Sequence, residues 1–218
     1  MKYDFSEPKE RQSYYFFRSL ARSLLKIKYD LRFEGVENLP QEGSFIIAAN
    51  HITFIDPVMI IAGCPRQCHF MAKSELFTKP VFSEFLAFMN AFPVKRESSD
   101  MTALNYAQKI INKGWILGIF PEGARSKDMT PKKTRSGAAY LAFKTGADVV
   151  PVGLVRYPSD KSLRPTVSVR FGKLIKNEEL GFTDSYSSKA VRAAAARIMD
   201  DIVALWKKGH IEAISKKK

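Results

Sequence analysis

The stretch Ser44-Phe45-Ile46-Ile47-Ala48-Ala49-Asn50-His51-Ile52-Thr53-Phe54-Ile55-Asp56-Pro57 decides how the rest of the chain is read. Phe45–Ala49 is an unbroken apolar run of strand length, the pattern of a strand covered on both faces. It gives way to three polar residues, Asn50, His51 and Asp56. Histidine changes charge close to neutral pH, so His51 is a candidate general base and Asp56 a candidate to orient it. Side chains five residues apart on a helix point about 140° away from each other, so the two can meet only if Ile52–Ile55 form a loop. Pro57 permits this, because it disfavours helix at Asp56 and suits the first turn of a helix that follows. The reading is a strand, a loop carrying His51, and a helix starting near Pro57. A plainer role is also open to Asp56, since an acidic residue directly before such a proline is a good helix cap.

On the N-terminal side, residues 13–31 carry Phe16, Phe17, Leu20, Leu24, Ile27 and Leu31 at helical spacing, with Arg11, Arg18, Arg22 and Lys26 roughly opposite. Two outcomes are open: a helix lying in the plane of a membrane, or a helix packed on the core with a solvated basic face. A short edge strand is expected at 33–36. On the C-terminal side, strands are expected at 68–72, 91–94, 115–120, 148–155 and 167–171. Helices are expected at about 57–63, 81–89, 100–113, 136–146 and 187–214. Ser74 is expected to cap a helix that includes Glu75, and Asn90 to close a helix in the left-handed conformation. Strands alternating with helices predict an α/β fold: a single domain with a largely parallel central sheet flanked by helices, behind an N-terminal amphipathic helix. Residues 1–32 are read as a membrane-association segment and 33–218 as the domain proper.

The 218 residues carry a net charge of +13, an excess that implies an anionic partner such as nucleic acid, an acidic membrane surface or a phosphorylated substrate. No nucleic-acid-binding motif is present and the basic residues are spread over many elements, which argues against nucleic acid. Cys64, Cys68 and His69 are too few for a closed zinc site, so no metal is expected and both cysteines are read as free thiols. No apolar run reaches the roughly 20 residues that span a bilayer, and the N-terminus lacks the pattern of a signal peptide. The expected location is therefore the cytoplasmic face of a membrane, with peripheral or monotopic attachment.

The second informative stretch is Phe120-Pro121-Glu122-Gly123-Ala124-Arg125-Ser126. The nucleophile elbow, the phosphate-binding P-loop and the dinucleotide fingerprint are all absent. What remains is a His–Asp pair with no protein nucleophile, which suits a general base acting on a substrate hydroxyl. Lys73, Arg96 and Arg125 each stand near the end of an expected strand or turn, and arginine forks match phosphate oxygens. Ligands of open α/β sheets bind beyond the carboxyl ends of strands, and His51, Arg96 and the turn at 120–126 all follow strands. The residues therefore suggest a phosphate-bearing alcohol held beside a base, with Glu122 on a substrate hydroxyl or bracing Arg125.

Asn50-His51-(four residues)-Asp56-Pro57 and Phe120–Ser126 resemble two signature blocks of the glycerolipid acyltransferases, most closely those acting on 1-acylglycerol-3-phosphate. Ala91-Phe92-Pro93-Val94-Lys95-Arg96 and Val150-Pro151-Val152-Gly153 resemble two further blocks, in the family's order, so the likeness covers roughly residues 33–175. It implies that His51 deprotonates the free sn-2 hydroxyl of a lysophosphatidic acid and that Asp56 orients His51. The acyl donor would be a thioester, acyl-CoA or acyl-carrier protein, with no cofactor, and the product phosphatidic acid; glycerol-3-phosphate or another lysolipid is the alternative acceptor. Arg96, Glu122, Gly123 and Arg125, with Lys73, would bind the glycerol phosphate, and Pro151 would shape the pocket. The sequence departs from the family pattern at Ser83 and Asn90, where glycine is usual, at Ala124, where threonine is common, and at Lys95, where an acidic residue is frequent.

Overall fold

The computed structural model describes residues 7–95, 100–126, 128–131, 134–159 and 163–215. Among them seven strands form one sheet: β1 (Asp30–Glu34), β2 (Phe45–Ala49), β3 (Cys68–Lys73), β4 (Ala91–Val94), β5 (Ile116–Ile119), β6 (Asp148–Tyr157) and β7 (Thr166–Phe171), in the spatial order β1-β7-β6-β2-β5-β3-β4. Six helices accompany it: α1 (Ser13–Lys28), α2 (Asp56–Gly63), α3 (Pro80–Phe88), α4 (Met101–Asn112), α5 (Gly137–Thr145) and α6 (Ser188–Ser215). Every strand pair is parallel except β6 with β7. That pair is antiparallel because a short connection, rather than a crossover helix, joins its strands.

The period of two along β2 assigns its residues to two cores. Phe45, Ile47 and Ala49 pack with Tyr14, Met59 and Ile60, on the side of α1 and α2. Ile46 and Ala48 pack with Ala107, Leu141 and Ile198, on the side of α4, α5 and α6. A central strand with both faces buried must be apolar throughout, which is why Phe45–Ala49 reads as an uninterrupted run. The chain leaves β2 towards α2 on one side of the sheet and leaves β5 towards α5 on the other. β2 and β5 are neighbours in the sheet, so the crevice beyond their carboxyl ends is where such sheets place their sites.

Several local expectations hold. Asn90 takes a positive φ of 53° after α3, and the helix expected at about 100–113 is α4, whose first turn Asp100 caps by accepting the Ala103 N–H at 3.0 Å. Others are corrected. The N-terminal helix stops at Lys28 because Tyr29 turns extended (φ −133°, ψ 146°), and Leu31 belongs to β1. The edge strand is Asp30–Glu34 rather than 33–36. Ser74 caps no helix: Ser74–Thr78 is a 3-10 turn, and the Ser74 hydroxyl donates to Glu75.

The largest correction concerns the two faces of α1. Arg18 points into the protein, donating from Nε to Ile61 O (2.9 Å) and from Nη2 to Ala62 O (3.4 Å). The last carbonyls of a helix lack partners within it, so Arg18 closes the C-terminus of α2. The Arg22 guanidinium lies 5.3 Å from the Phe33 ring centroid. Tyr14 is fully buried, its hydroxyl accepting the Cys68 N–H, and Phe17 stacks on Phe88 at 4.3 Å. Facing out, beside the exposed Lys26 and Lys28, are apolar side chains: Phe16, Leu20, Leu24 and Ile27 are 67, 44, 57 and 71% exposed. The helix packs on the core through Tyr14, Phe17 and Leu25 instead.

His69 lies buried on β3 with its ring stacked on Trp115 at 5.2 Å. Burial pushes its pKa down to about 4. The unfolded chain, with an ordinary histidine, therefore binds a proton that the folded chain refuses between about pH 6.5 and 4. Stability should be unaffected by this group above pH 6.5 and should fall as the pH drops through that window, by an order of 3 kcal/mol in full. We expect His69→Phe to flatten this part of the urea-denaturation profile between pH 7 and 4. An equally steep profile in the variant would assign the acid sensitivity to other groups.

Candidate active site

His51 stands two residues beyond β2, with its ring held by two side chains and its backbone by the 120–126 turn. Nδ1 faces Asp56 Oδ2 at 2.8 Å. Phe120, the residue after β5, stacks on the ring at a centroid distance of 4.1 Å. The backbone is clamped to the 120–126 turn by two bonds: His51 N–H donates to Glu122 Oε1 (2.8 Å), and Ser126 N–H donates to His51 O (2.8 Å). The polar contact at Nδ1 fixes the tautomer, since a proton there is donated to the carboxylate and the Nε2 lone pair is left as acceptor. His51 also lines a cavity, so the imidazole is buried against protein on one side and open to a ligand on the other.

The capping role open to Asp56 is not the one observed. α2 begins at Asp56, and the carboxylate turns back onto the loop before it. Oδ2 accepts from Ile52 N (2.6 Å) and Thr53 N (2.7 Å) as well as from His51, and Oδ1 accepts from Thr53 Oγ1 (2.6 Å). One carboxylate thus shapes the tight loop at 52–55 and orients the imidazole. Asn50 is structural. Its side chain donates to Leu154 O (3.0 Å) and accepts from Leu154 N (2.7 Å), extending the β2–β6 ladder by one side-chain pair.

The structure places His51, Lys73 and Arg125 on one cavity and ties Glu122 to the His51 loop. Glu122 is buried, and its Oε1 accepts the His51 N–H. Pro151 lies within β6 opposite Ala48, its carbonyl accepting the Gly172 N–H at 2.8 Å, and it is not in the lining of the cavity that holds His51. Gly123 takes φ +71° in the turn, a conformation that favours glycine. Lys73, at the end of β3, and Arg125 line the same cavity as His51, with Lys73 also paired to Glu75 at 2.8 Å. Arg96 lies outside the described residues. Sequence reading missed Thr53, Ser126 and Phe120. Thr53 and Ser126 act through bonds whose partners are set by the loop conformation, and Phe120 reads as the last apolar residue of a strand.

The cavity that His51 opens into is lined mainly by apolar side chains such as Val58, Ile61, Phe70, Leu86 and Met89, with His51, Lys73 and Arg125 as polar groups in the same lining. Phe54 and Phe85 line it and are 39 and 40% exposed. A largely apolar cavity with a base and two cations in its lining suits a molecule with a hydrocarbon chain and a polar reacting head.

Comparison with known proteins agrees with this arrangement. Residues 30–155 match the family model described as Acyltransferase. The 1-acyl-sn-glycerol-3-phosphate acyltransferase of Bacillus subtilis is 33% identical over 151 residues, covering 69% of this chain and 75% of the relative. The enzyme of the same name from Streptococcus pneumoniae is 29% identical over 198 residues, covering 88% and 72%. The fold matches the crystal structure of the 1-acyl-sn-glycerophosphate (LPA) acyltransferase PlsC from Thermotoga maritima, with a TM-score of 0.71 at 21% identity over 94% of this chain and 84% of that one. The chain belongs to the acyltransferase family. Within it, the relatives place this chain among the O-acyltransferases, enzymes that build an ester on an alcohol.

Proposed function

We propose that the protein transfers a fatty acyl group from an acyl thioester to the sn-2 hydroxyl of 1-acylglycerol-3-phosphate, giving phosphatidic acid for phospholipid synthesis. The observation that carries this reading is the buried His51–Asp56 pair, 2.8 Å apart, with His51 lining a largely apolar cavity. It is supported by relatives named for that reaction. Nε2 of His51 takes the proton of the acceptor hydroxyl as its oxygen attacks the thioester carbon. The carbon–sulfur bond then breaks, and the thiolate of coenzyme A or acyl-carrier protein leaves with the proton carried by His51. Asp56 holds the ring and stabilises the imidazolium formed in between. The apolar cavity seats the donor's hydrocarbon chain. Arg125, Gly123 and Lys73, with Arg96 and Glu122, hold or frame the glycerol phosphate.

The test is thiol release from palmitoyl-CoA and from palmitoyl-acyl-carrier protein, with and without lysophosphatidic acid. Release that needs the acceptor is expected. Release without it would indicate a thioesterase, and preference for glycerol-3-phosphate or another lysolipid would move the acceptor assignment.

Membrane docking through α1 is part of the same reading, because acceptor and product are both lipids. No helix among the described residues is long and apolar enough to cross a membrane. The outward set Phe16, Leu20, Leu24 and Ile27 suits insertion at the interface, and a net charge of +13 favours an acidic leaflet. Replacing these four by serine should release the protein from phosphatidylglycerol-containing vesicles in a sedimentation assay, with little change in melting temperature, since none of them is buried. Phe17 is left out of the variant because it stacks on Phe88. Unchanged sedimentation would remove α1 from the docking surface.

A further inference from the structure

A cavity of about 330 Å³ including its mouth lies towards the other end of β3 from the candidate active site. Lys73, the last residue of β3, lines the cavity of His51. His69, the second residue of the same strand, lines this other one. At about 3.3 Å per residue the two positions stand about 13 Å apart. The lining is largely polar: Glu7, Lys9 and Arg11 of the segment that leads into α1, with His69, Asn90 and Tyr106.

His69 is the informative member. It is 3% exposed, and neither ring nitrogen has a hydrogen-bond partner among the described residues. The backbones of Lys9 and Ile116 lie close enough to act on its charge, but neither completes a hydrogen bond. A neutral imidazole carries one N–H donor and one lone pair, and buried polar groups of this kind are normally matched. Trp115, stacked on one face of the ring at 5.2 Å, holds it in place.

The surrounding charges favour an anion as the partner. Glu7, the acid in the lining, is committed elsewhere, pairing with Lys109 and with Lys113 (3.3 Å). Hydrogen bonds from those two lysines hold its carboxyl below the usual carboxylate range. Lys9 and Arg11 form no ion pair among the described residues, and the Arg11 charge reaches His69 and opposes its protonation. The segment that carries them is fixed by its backbone: Gln67 Nε2 donates to Arg11 O (2.9 Å) and Lys113 Nζ to Pro8 O (3.0 Å). A backbone already in place lowers the entropic cost of engaging a ligand.

We infer that this cavity is a binding site for a small oxyanion of the phosphate type, separate from the acyl-transfer site. A ring N–H of His69 donates to the anion, and Lys9 and Arg11 balance its charge. The bound anion ties residues 7–11, and with them the start of α1, to His69 on β3. The inference goes beyond the acyl-transfer reading and does not depend on it. The same chemistry is offered by the free phosphate ion and by the phosphate group of a larger metabolite.

The experiment follows the His69 ring and the Trp115 indole by ¹H–¹⁵N NMR at neutral pH. Sodium phosphate, glycerol 3-phosphate or sodium chloride is added at matched ionic strength. Both signals should shift saturably with phosphate and not with chloride. Lys9→Met and Arg11→Met, with folding checked by thermal denaturation, should each weaken the apparent affinity about 10-fold or more. Lys9 is exposed, so its variant keeps the fold. His69→Phe removes the ring signal, and the Trp115 signal should then stop responding. Arg125→Met should respond as wild type does, which separates this site from the cavity of His51. A tighter response to phosphate than to glycerol 3-phosphate assigns the site to the free ion, and the reverse assigns it to a phosphorylated metabolite. No saturable shift, or equal shifts in phosphate and chloride, would reduce the cavity to a hydration site and overturn the inference. So would a response that survives unchanged in both Lys9→Met and Arg11→Met, or one abolished by Arg125→Met.

Discussion

His51→Ala should lower acceptor-dependent acyl transfer by about 10²- to 10⁴-fold, the usual contribution of a positioned general base, and should leave the protein folded. Both halves follow from the contacts. The side chain supplies the base, and no other group bonded to Asp56 can replace it: its remaining partners are two backbone N–H groups and the Thr53 hydroxyl. The bonds that tie the His51 loop to the 120–126 turn, by contrast, belong to the His51 backbone, and truncation does not touch them. Asp56 keeps three of its four hydrogen-bond donors, so no bare carboxylate is left behind. Thermal denaturation should therefore show a cooperative transition close to that of wild type. Residual turnover within tenfold of wild type, in a folded variant, would remove His51 from the chemistry.

Asp56 is expected to give two different results with two replacements. Asp56→Asn keeps the shape of the carboxylate. Its amide oxygen must occupy the Oδ2 position, because the Ile52 and Thr53 N–H groups both point there and would oppose an NH₂. The His51 tautomer is thereby preserved, and the Thr53 hydroxyl can rotate to accept from the amide. What is lost is the negative charge beside the imidazolium that forms during transfer. We expect kcat to fall by about 10²- to 10³-fold, with the KM values and the melting temperature nearly unchanged. Asp56→Ala removes the acceptor altogether and leaves the Ile52 and Thr53 N–H groups without it in a part-buried loop. In addition to the activity loss, it should lower stability by about 2–3 kcal/mol. Chemical denaturation of the two variants side by side separates the roles. Equal stability of Asn and Ala variants would mean that the carboxylate does not hold the loop.

The elements were legible to different degrees for physical reasons. β2 and β4 fall on the expected residues, 45–49 and 91–94, because short apolar runs bounded by polar or turn residues leave few alternatives. The α1–β1 boundary was misplaced because Leu31 continues the helical spacing of Phe16, Leu20, Leu24 and Ile27, and periodicity cannot see that β1 is wanted by β7. Their pairing of Asp30 with Thr166 spans most of the chain. At the site, the His51–Asp56 pair was readable because five residues of chain and one proline restrict its geometry. Glu122 was recognised as part of the site, but its bond to the His51 backbone was not foreseen, since that N–H lies 71 residues away in the chain.

The sequence by itself determined what depends on local pattern: alternating strands and helices, a sheet buried on both faces, the strand–loop–helix unit bearing His51 and Asp56, and four ordered blocks shared with the acyltransferases. Tertiary structure decided the choices that a pattern leaves symmetrical. Periodicity gives α1 an apolar and a basic face but does not say which turns inward. That was settled by the unpaired carbonyls of Ile61 and Ala62 at the end of α2, which take Arg18 as their donor, leaving Phe16, Leu20, Leu24 and Ile27 outside. In the same way, only the folded chain brings the His51 N–H to Glu122 Oε1. Hydrogen-bond satisfaction and close packing act between residues that are neighbours in space, and that proximity exists only after the chain has folded.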